Sequence, residues 1–231
     1  MTVAPHARPT LVAHAGLACL SLVVAASVLT GCGPRTVATA TPEQLANAYP
    51  TVLAAPSALG PDFMMEQEVT MTHAQGAHTF RAILQKRGDE LLLLGLAPHG
   101  GRAFVLTQRG EHDITFESFM PEELPFPPRY ILHDIHRTWF QGAGSAAPDA
   151  DGWREVERDG ERVREHVGPE GITERTFERL DGTPAGAITV RFATPLGAGA
   201  PNTARPPDET TFENGWFGYT GTVRTLSWEA L

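Results

Sequence analysis

The chain has 231 residues, 18 basic against 27 acidic side chains, a formal net charge of −9, and two cysteines. That length fits one domain, and the acidic balance argues against nucleic acid or broad adhesion to anionic lipid headgroups as partners. With so few cysteines the fold must rest on a hydrophobic core, and about 200 residues are enough to bury one.

The first ten residues carry Arg8 and no acid, and an apolar or small-residue stretch follows from Leu11 to Thr30. A short basic start, an apolar stretch and a small-residue cleavage site make a secretory signal over residues 1–31. About 20 apolar residues can also span a bilayer uncleaved, but His14 and the small residues weaken that reading. Leu29-Thr30-Gly31-Cys32 is similar to the bacterial lipobox, which implies cleavage between Gly31 and Cys32. It also implies a diacylglyceryl group on the Cys32 thiol and an acylated new amine, with palmitate as the typical chain. Cys19 would leave with the signal, so the mature chain has no disulfide. Its 17 basic and 27 acidic residues give a net charge of −10. Gly33 is not the Asp that holds enterobacterial lipoproteins in the inner membrane, which favours the periplasmic face of the outer membrane.

Residues 32–40 read as the lipidated cysteine and a small-residue tether, and residues 41–231 as a single domain. Thr41, Pro42 and Gln44 give a cap, a first helical position and a capping-box partner, so a short helix is expected up to Tyr49, before Pro50. From Phe63 the period is two: Phe63, Met65, Val69 and Met71 share one face, and Met64, Glu66, Glu68 and Thr70 the other. Turns at AQGAH, RGDE and PHGG separate further strands, including the continuous apolar run LLLLGLA. PEELPFPP at 121–128 breaks the sheet. RYILHDIHRTWF then reads as a helix, with Ile131, Leu132, Ile135 and Trp139 on the apolar side and His133, Asp134, His136 and Arg137 outward or sideways. Strands resume at WREVER and ERVREHV, joined by Asp159-Gly160, and continue through ITERTFERL and GAITVRFA. A last strand runs through FENGWFGYTGTVRTLSW. The patterning predicts an α+β domain of about ten antiparallel strands with one longer helix and one short N-terminal helix.

LLLLGLAPHGGRAFVLTQRG, PFPPRYILHDIHRTWF and ENGWFGYTGTVRTLSW together resemble a family of uncharacterised proteobacterial lipoproteins, domain of unknown function 3261. The shared features are Leu132 and Asp134, Trp139, and the pair Gly218-Tyr219. His136 and Phe140 depart from the family's usual Leu or Gln and Pro. The family often accompanies aryl-polyene biosynthesis genes and looks like a distant relative of the lipoprotein-localisation carriers LolA and LolB. That resemblance implies a half-open antiparallel β-barrel with helices over its mouth and acyl chains bound inside.

No residue pattern points to catalysis. His133 and His136 are spaced to share a metal, but no third ligand is placed by a motif, so no metal or cofactor is expected. His99-Gly100-Gly101 looks superficially like an esterase oxyanion loop, yet no G-x-S-x-G accompanies it and a turn explains it better. Glu66, Glu68, Glu117, Glu122 and Glu123 form no distinguished carboxylate pair. Methionine fills adaptable apolar sites, so Phe63, Met65, Val69, Met71, Ile131, Ile135 and Trp139 are the candidate lining of a hydrophobic-ligand site, with ordinary core as the alternative. The expectation is a non-enzymatic lipoprotein, held to the membrane by its acyl anchor, that binds or transfers an acyl-chain or polyene lipid. The alternative is a self-filled barrel that docks an envelope-biosynthesis or lipoprotein-sorting partner.

Overall fold

A computed structural model describes residues 49, 52–74, 76–120, 127–198 and 200–231. The signal, Cys32, the tether, residues 121–126 and, apart from Tyr49, the short helix expected at 41–49 lie outside the described residues. A 3-10 turn, Pro56–Ala58, precedes the first strand. The meander β1 (Phe63–His73), β2 (Gly76–Arg87), β3 (Glu90–Leu96), β4 (Arg102–Arg109) and β5 (Asp113–Ser118) leads to the helix α1 (Arg129–Trp139). A second meander follows: β6 (Trp153–Arg158), β7 (Glu161–Gly168), β8 (Gly171–Arg179), β9 (Ala187–Leu196), β10 (Glu209–Asn214) and β11 (Tyr219–Ala230).

All eleven strands belong to one sheet, in the order β5-β4-β3-β2-β1-β11-β10-β9-β8-β7-β6. β1 pairs antiparallel with both β2 and β11, so it joins the two meanders, and β5 and β6 are the open edges. The eleventh strand arises because the expected last strand is two. Asn214 Oδ1 accepts the backbone N–H groups of Trp216 and Phe217 at 3.1 and 3.0 Å, and Gly218 takes φ +72°, which turns the chain between β10 and β11. An Asn side chain that mimics a backbone turn, followed by a residue with positive φ, makes a tight reversal.

The sheet is curled. In a flat sheet, strands about 4.8 Å apart would set β4 and β7 roughly 38 Å from each other. Yet α1 reaches both: His136 bonds Gln108 of β4, and Arg137 bonds Glu161 of β7. A helix about 10–12 Å wide touches two such strands only if the sheet wraps around it. The concave face carries the core, with Phe63, Met65, Leu84, Leu91, Leu106, Phe177 and Ile188 fully buried. In β3 the four leucines alternate, Leu91 and Leu93 buried, Leu92 and Leu94 half-buried. Gly95 lies opposite Phe104 of β4, and a Cβ there would collide with the phenyl ring.

The helix is rotated relative to the sequence expectation. Leu132 and Trp139 are buried, but so are His133, His136 and Arg137, whereas Ile131 and Ile135 are only half-buried against the core. Apolar periodicity assigned the polar residues outward because an unpaired charge resists burial. The sheet supplies the missing partners, and the polar side turns inward.

Candidate functional site

Three groups of side chains fix α1 in the curl. The first centres on Asp134. Both of its carboxylate oxygens accept tyrosine hydroxyls, Oδ1 from Tyr49 and Oδ2 from Tyr219 at 2.5 Å. Asn214 Nδ2 donates to both hydroxyls, at 2.9 Å each. The turn that creates β11 therefore also orients the tyrosines that hold the helix. Burial pushes the Asp134 carboxyl up to about 7, against the opposing pull of the two tyrosine bonds and Arg137. The Tyr49 and Tyr219 phenols are driven well above their ordinary range, first by burial and then by the Asp134 charge.

The second group is ionic. Arg137 Nη2 donates to Glu161 at 2.6 Å, and both side chains are fully buried. The Arg137 guanidinium also lies over the rings of Tyr49, Trp216 and Phe177, at 4.5, 5.2 and 5.4 Å from their centroids. Glu165 bridges Arg175 at 2.7 Å and Arg154 at 2.6 Å. Those three residues face one another across β6, β7 and β8. Arg175 Nη1 then donates to the carbonyls of Arg137 and Thr138, at 2.7 and 2.9 Å, and so caps the C-terminus of the helix where a cation is favoured. The inward glutamates were readable in principle, because Glu161, Val163 and Glu165 share one face of β7.

The third group contains the histidines. Gln108 Nε2 donates to the carbonyls of Ala54 and Gly110, both at 2.8 Å, which leaves its Oε1 as the acceptor for His136 Nε2 at 2.9 Å. Burial, with the Arg137 charge, lowers the His136 imidazole to about 4. His133 stacks on Tyr49 and accepts Arg129 Nε at 3.2 Å, and burial drives its pKa down as well. The two histidines thus serve separate contacts, and among the described residues no three His, Cys, Asp or Glu side chains gather to hold a metal ion.

At the C-terminal end of α1 lies a partly open cavity of about 370 Å³. Val52, Leu59, Trp139 and Phe140 give it apolar walls, and Gln141, Arg158, Asp159 and Asn202 give it polar ones. Of the seven candidate lining residues, Trp139 borders this cavity. Phe63 and Met65 are fully buried in the core, Val69, Met71, Ile131 and Ile135 pack against it half-buried, and none of these six borders the cavity. The segment around Val52 and Leu59 carried no sequence signal for a site, because it has neither strand nor helix period.

The remaining candidates have ordinary roles. His99 and Gly100 form a turn closed by Gly100 N–H to Ala97 O at 2.9 Å. Glu66 pairs with Arg81 at 2.5 Å and Glu68 with Arg224 at 3.3 Å, Glu117 is exposed, and Glu122 and Glu123 lie outside the described residues.

A family model described as protein of unknown function (DUF3261) matches residues 64–227. No curated protein matches the chain. Among solved structures, the chain is similar to a putative outer membrane lipoprotein-sorting protein domain from Vibrio parahaemolyticus, at 9% identity and TM-score 0.40, over 73% of this chain and 85% of that one. It is similar to a LolA superfamily protein from Nitrosomonas europaea, at 12% identity and TM-score 0.39, over 82% and 93%. A DUF1329 family protein from Desulfovibrio piger aligns at 12% identity and TM-score 0.36, over 74% and 85%.

Proposed function

The chain belongs to the DUF3261 family, and on that premise we propose that it is a non-enzymatic lipoprotein that binds or transfers an acyl-chain or polyene lipid at the periplasmic face of the outer membrane. The observation that carries the reading is the cavity of about 370 Å³ at the end of α1, within the range of roughly 300–1,000 Å³ usual for small-ligand sites. Apolar burial there is non-directional, at roughly 25 cal/mol per Å², so shape selects the chain. The acyl anchor on Cys32 keeps the protein at the membrane that receives the lipid.

A second reading has its own support. The inner face of the sheet is occupied by α1 and its buried ion pairs, as expected of a self-filled barrel that docks an envelope-biosynthesis or lipoprotein-sorting partner. Titration of the full-length chain in phosphatidylcholine nanodiscs with a fluorescent fatty-acid probe separates the two. The carrier reading expects saturable binding, competition by long chains, and loss of binding on Ala58→Trp, which places a bulky ring at an exposed position of the cavity wall. Folded protein without saturable binding overturns it in favour of docking.

A further inference from the structure

The cavity is lined by an arginine, Arg158, that makes no ion pair within 4.0 Å among the described residues. On β6 to β9, Arg154, Arg162, Arg164, Arg175, Arg179 and Arg191 each have a carboxylate within 4.0 Å. Arg158 has none among the described residues. The β6–β7 register places it directly opposite Glu161, but that carboxylate is taken by Arg137 of the helix at 2.6 Å. Asp159, next in the chain, sits exposed in the hairpin turn with φ +52° and makes no ion pair with Arg158. Arg158 is half-buried, and its Nη2 is buried with no hydrogen-bond partner among the described residues. A buried guanidinium N–H without an acceptor is costly, and a planar guanidinium is well matched to a carboxylate.

Gln141, which also lines the cavity, has a similar deficit: its Oε1 is buried without a partner among the described residues. A flip of the amide exchanges oxygen for NH₂ without changing its shape, which turns an unpaired acceptor into a second donor. Leu59, Trp139 and Phe140 add apolar surface to the lining. The lining thus combines a guanidinium and amide groups with hydrocarbon.

We propose that the cavity takes the carboxylate end of a single-chain fatty acid, with Arg158 as the headgroup anchor, Gln141 as a second donor, and the first part of the chain against Leu59, Trp139 and Phe140. This deepens the carrier reading and rests on it. The lipid is delivered head-inward, as a free acid, and Arg158 discriminates it from neutral lipids of the same length.

The test uses the full-length chain in phosphatidylcholine nanodiscs with a photoreactive diazirine palmitate. Cross-links should map to the peptides holding Leu59 or Trp139 to Gln141. Unlabelled palmitate should compete about tenfold better than hexadecanol, the scale expected for one hydrogen bond to a charged group. Acetate should not compete, which separates an amphiphile from a bare anion. Arg158→Gln, on an edge strand, should melt like the wild type and lose the acid-over-alcohol preference, and Arg158→Lys should keep part of it. Equal competition by acid and alcohol on the wild-type protein, or a preference that survives Arg158→Gln, overturns the headgroup site even where lipid binding itself persists. Competition by acetate as strong as by palmitate overturns the amphiphile. No saturable cross-linking at all removes the carrier reading together with the headgroup site.

Discussion

Asp134 is the only carboxylate of α1, and it is held by two phenols and buried with its charge unfavoured. Its folded pKa of about 7 lies above the ordinary 3.8, so the folded state binds a proton more readily than the unfolded state between those values. Stability from this group is therefore full below about pH 4 and is lost as the pH rises through about 7. His133 and His136 act oppositely, since their lowered pKa values penalise the folded state as the pH falls below the ordinary 6.5. The two effects offset each other in the wild type, and Asp134→Asn isolates the first. The stability difference between variant and wild type should move in the variant's favour as pH rises from 4 to 7, then level off. Urea denaturation across that range measures it, and a difference that does not vary with pH contradicts the buried, raised carboxyl.

The helix is the element on which sequence reasoning and structure part. The strands were legible because a half-buried sheet repeats every two residues, and β1, β7 and β9 bury alternate side chains as that pattern requires. The helix itself was legible from its apolar spacing, but its orientation was not. Arg137 and His136 look like solvent-facing residues until Glu161, 24 residues later, and Gln108, 28 residues earlier, are brought to them by the curl of the sheet. Asp134 and Gly218-Tyr219 were likewise visible only as separate motifs, and the fold joins Asp134 and Tyr219 in one hydrogen-bonded unit. The rotation has a measurable consequence. Leu132 is fully buried and Ile135 half-buried, so Leu132→Asp should cost several kcal/mol and leave little folded protein, while Ile135→Asp should cost distinctly less. Equal losses in urea midpoint would return the helix to the orientation that apolar spacing alone implies.

At the scale of the whole molecule, the proposed function draws on two separate sets of features. The described domain offers a cavity of about 370 Å³ beside a capped, ion-paired helix. The N-terminal sequence offers Leu29-Thr30-Gly31-Cys32, the lipobox-like tetrad. On the carrier reading the two serve one task, a site for the lipid and a bounded distance to its destination. Eight residues from Gly33 to Ala40, fully extended, reach roughly 28 Å, so an acylated Cys32 would keep the domain within a short span of the bilayer. One chain at roughly 0.8 kcal/mol per buried methylene binds marginally, and two or three bind durably. Cys32→Ser removes the thiol that would accept the diacylglyceryl group. The variant should lose incorporation of labelled palmitate and either keep its signal, with a mass increase over the processed wild type, or leave the detergent-soluble membrane fraction. The wild type should band with the outer membrane in a sucrose gradient, since Gly33 is not the retaining Asp. Palmitate labelling that survives Cys32→Ser would refute the lipobox. The cavity would then have to be filled without a tether, and fatty-acid binding by Cys32→Ser protein tests that separately, because the site at Arg158 and Trp139 shares no residue with the anchor.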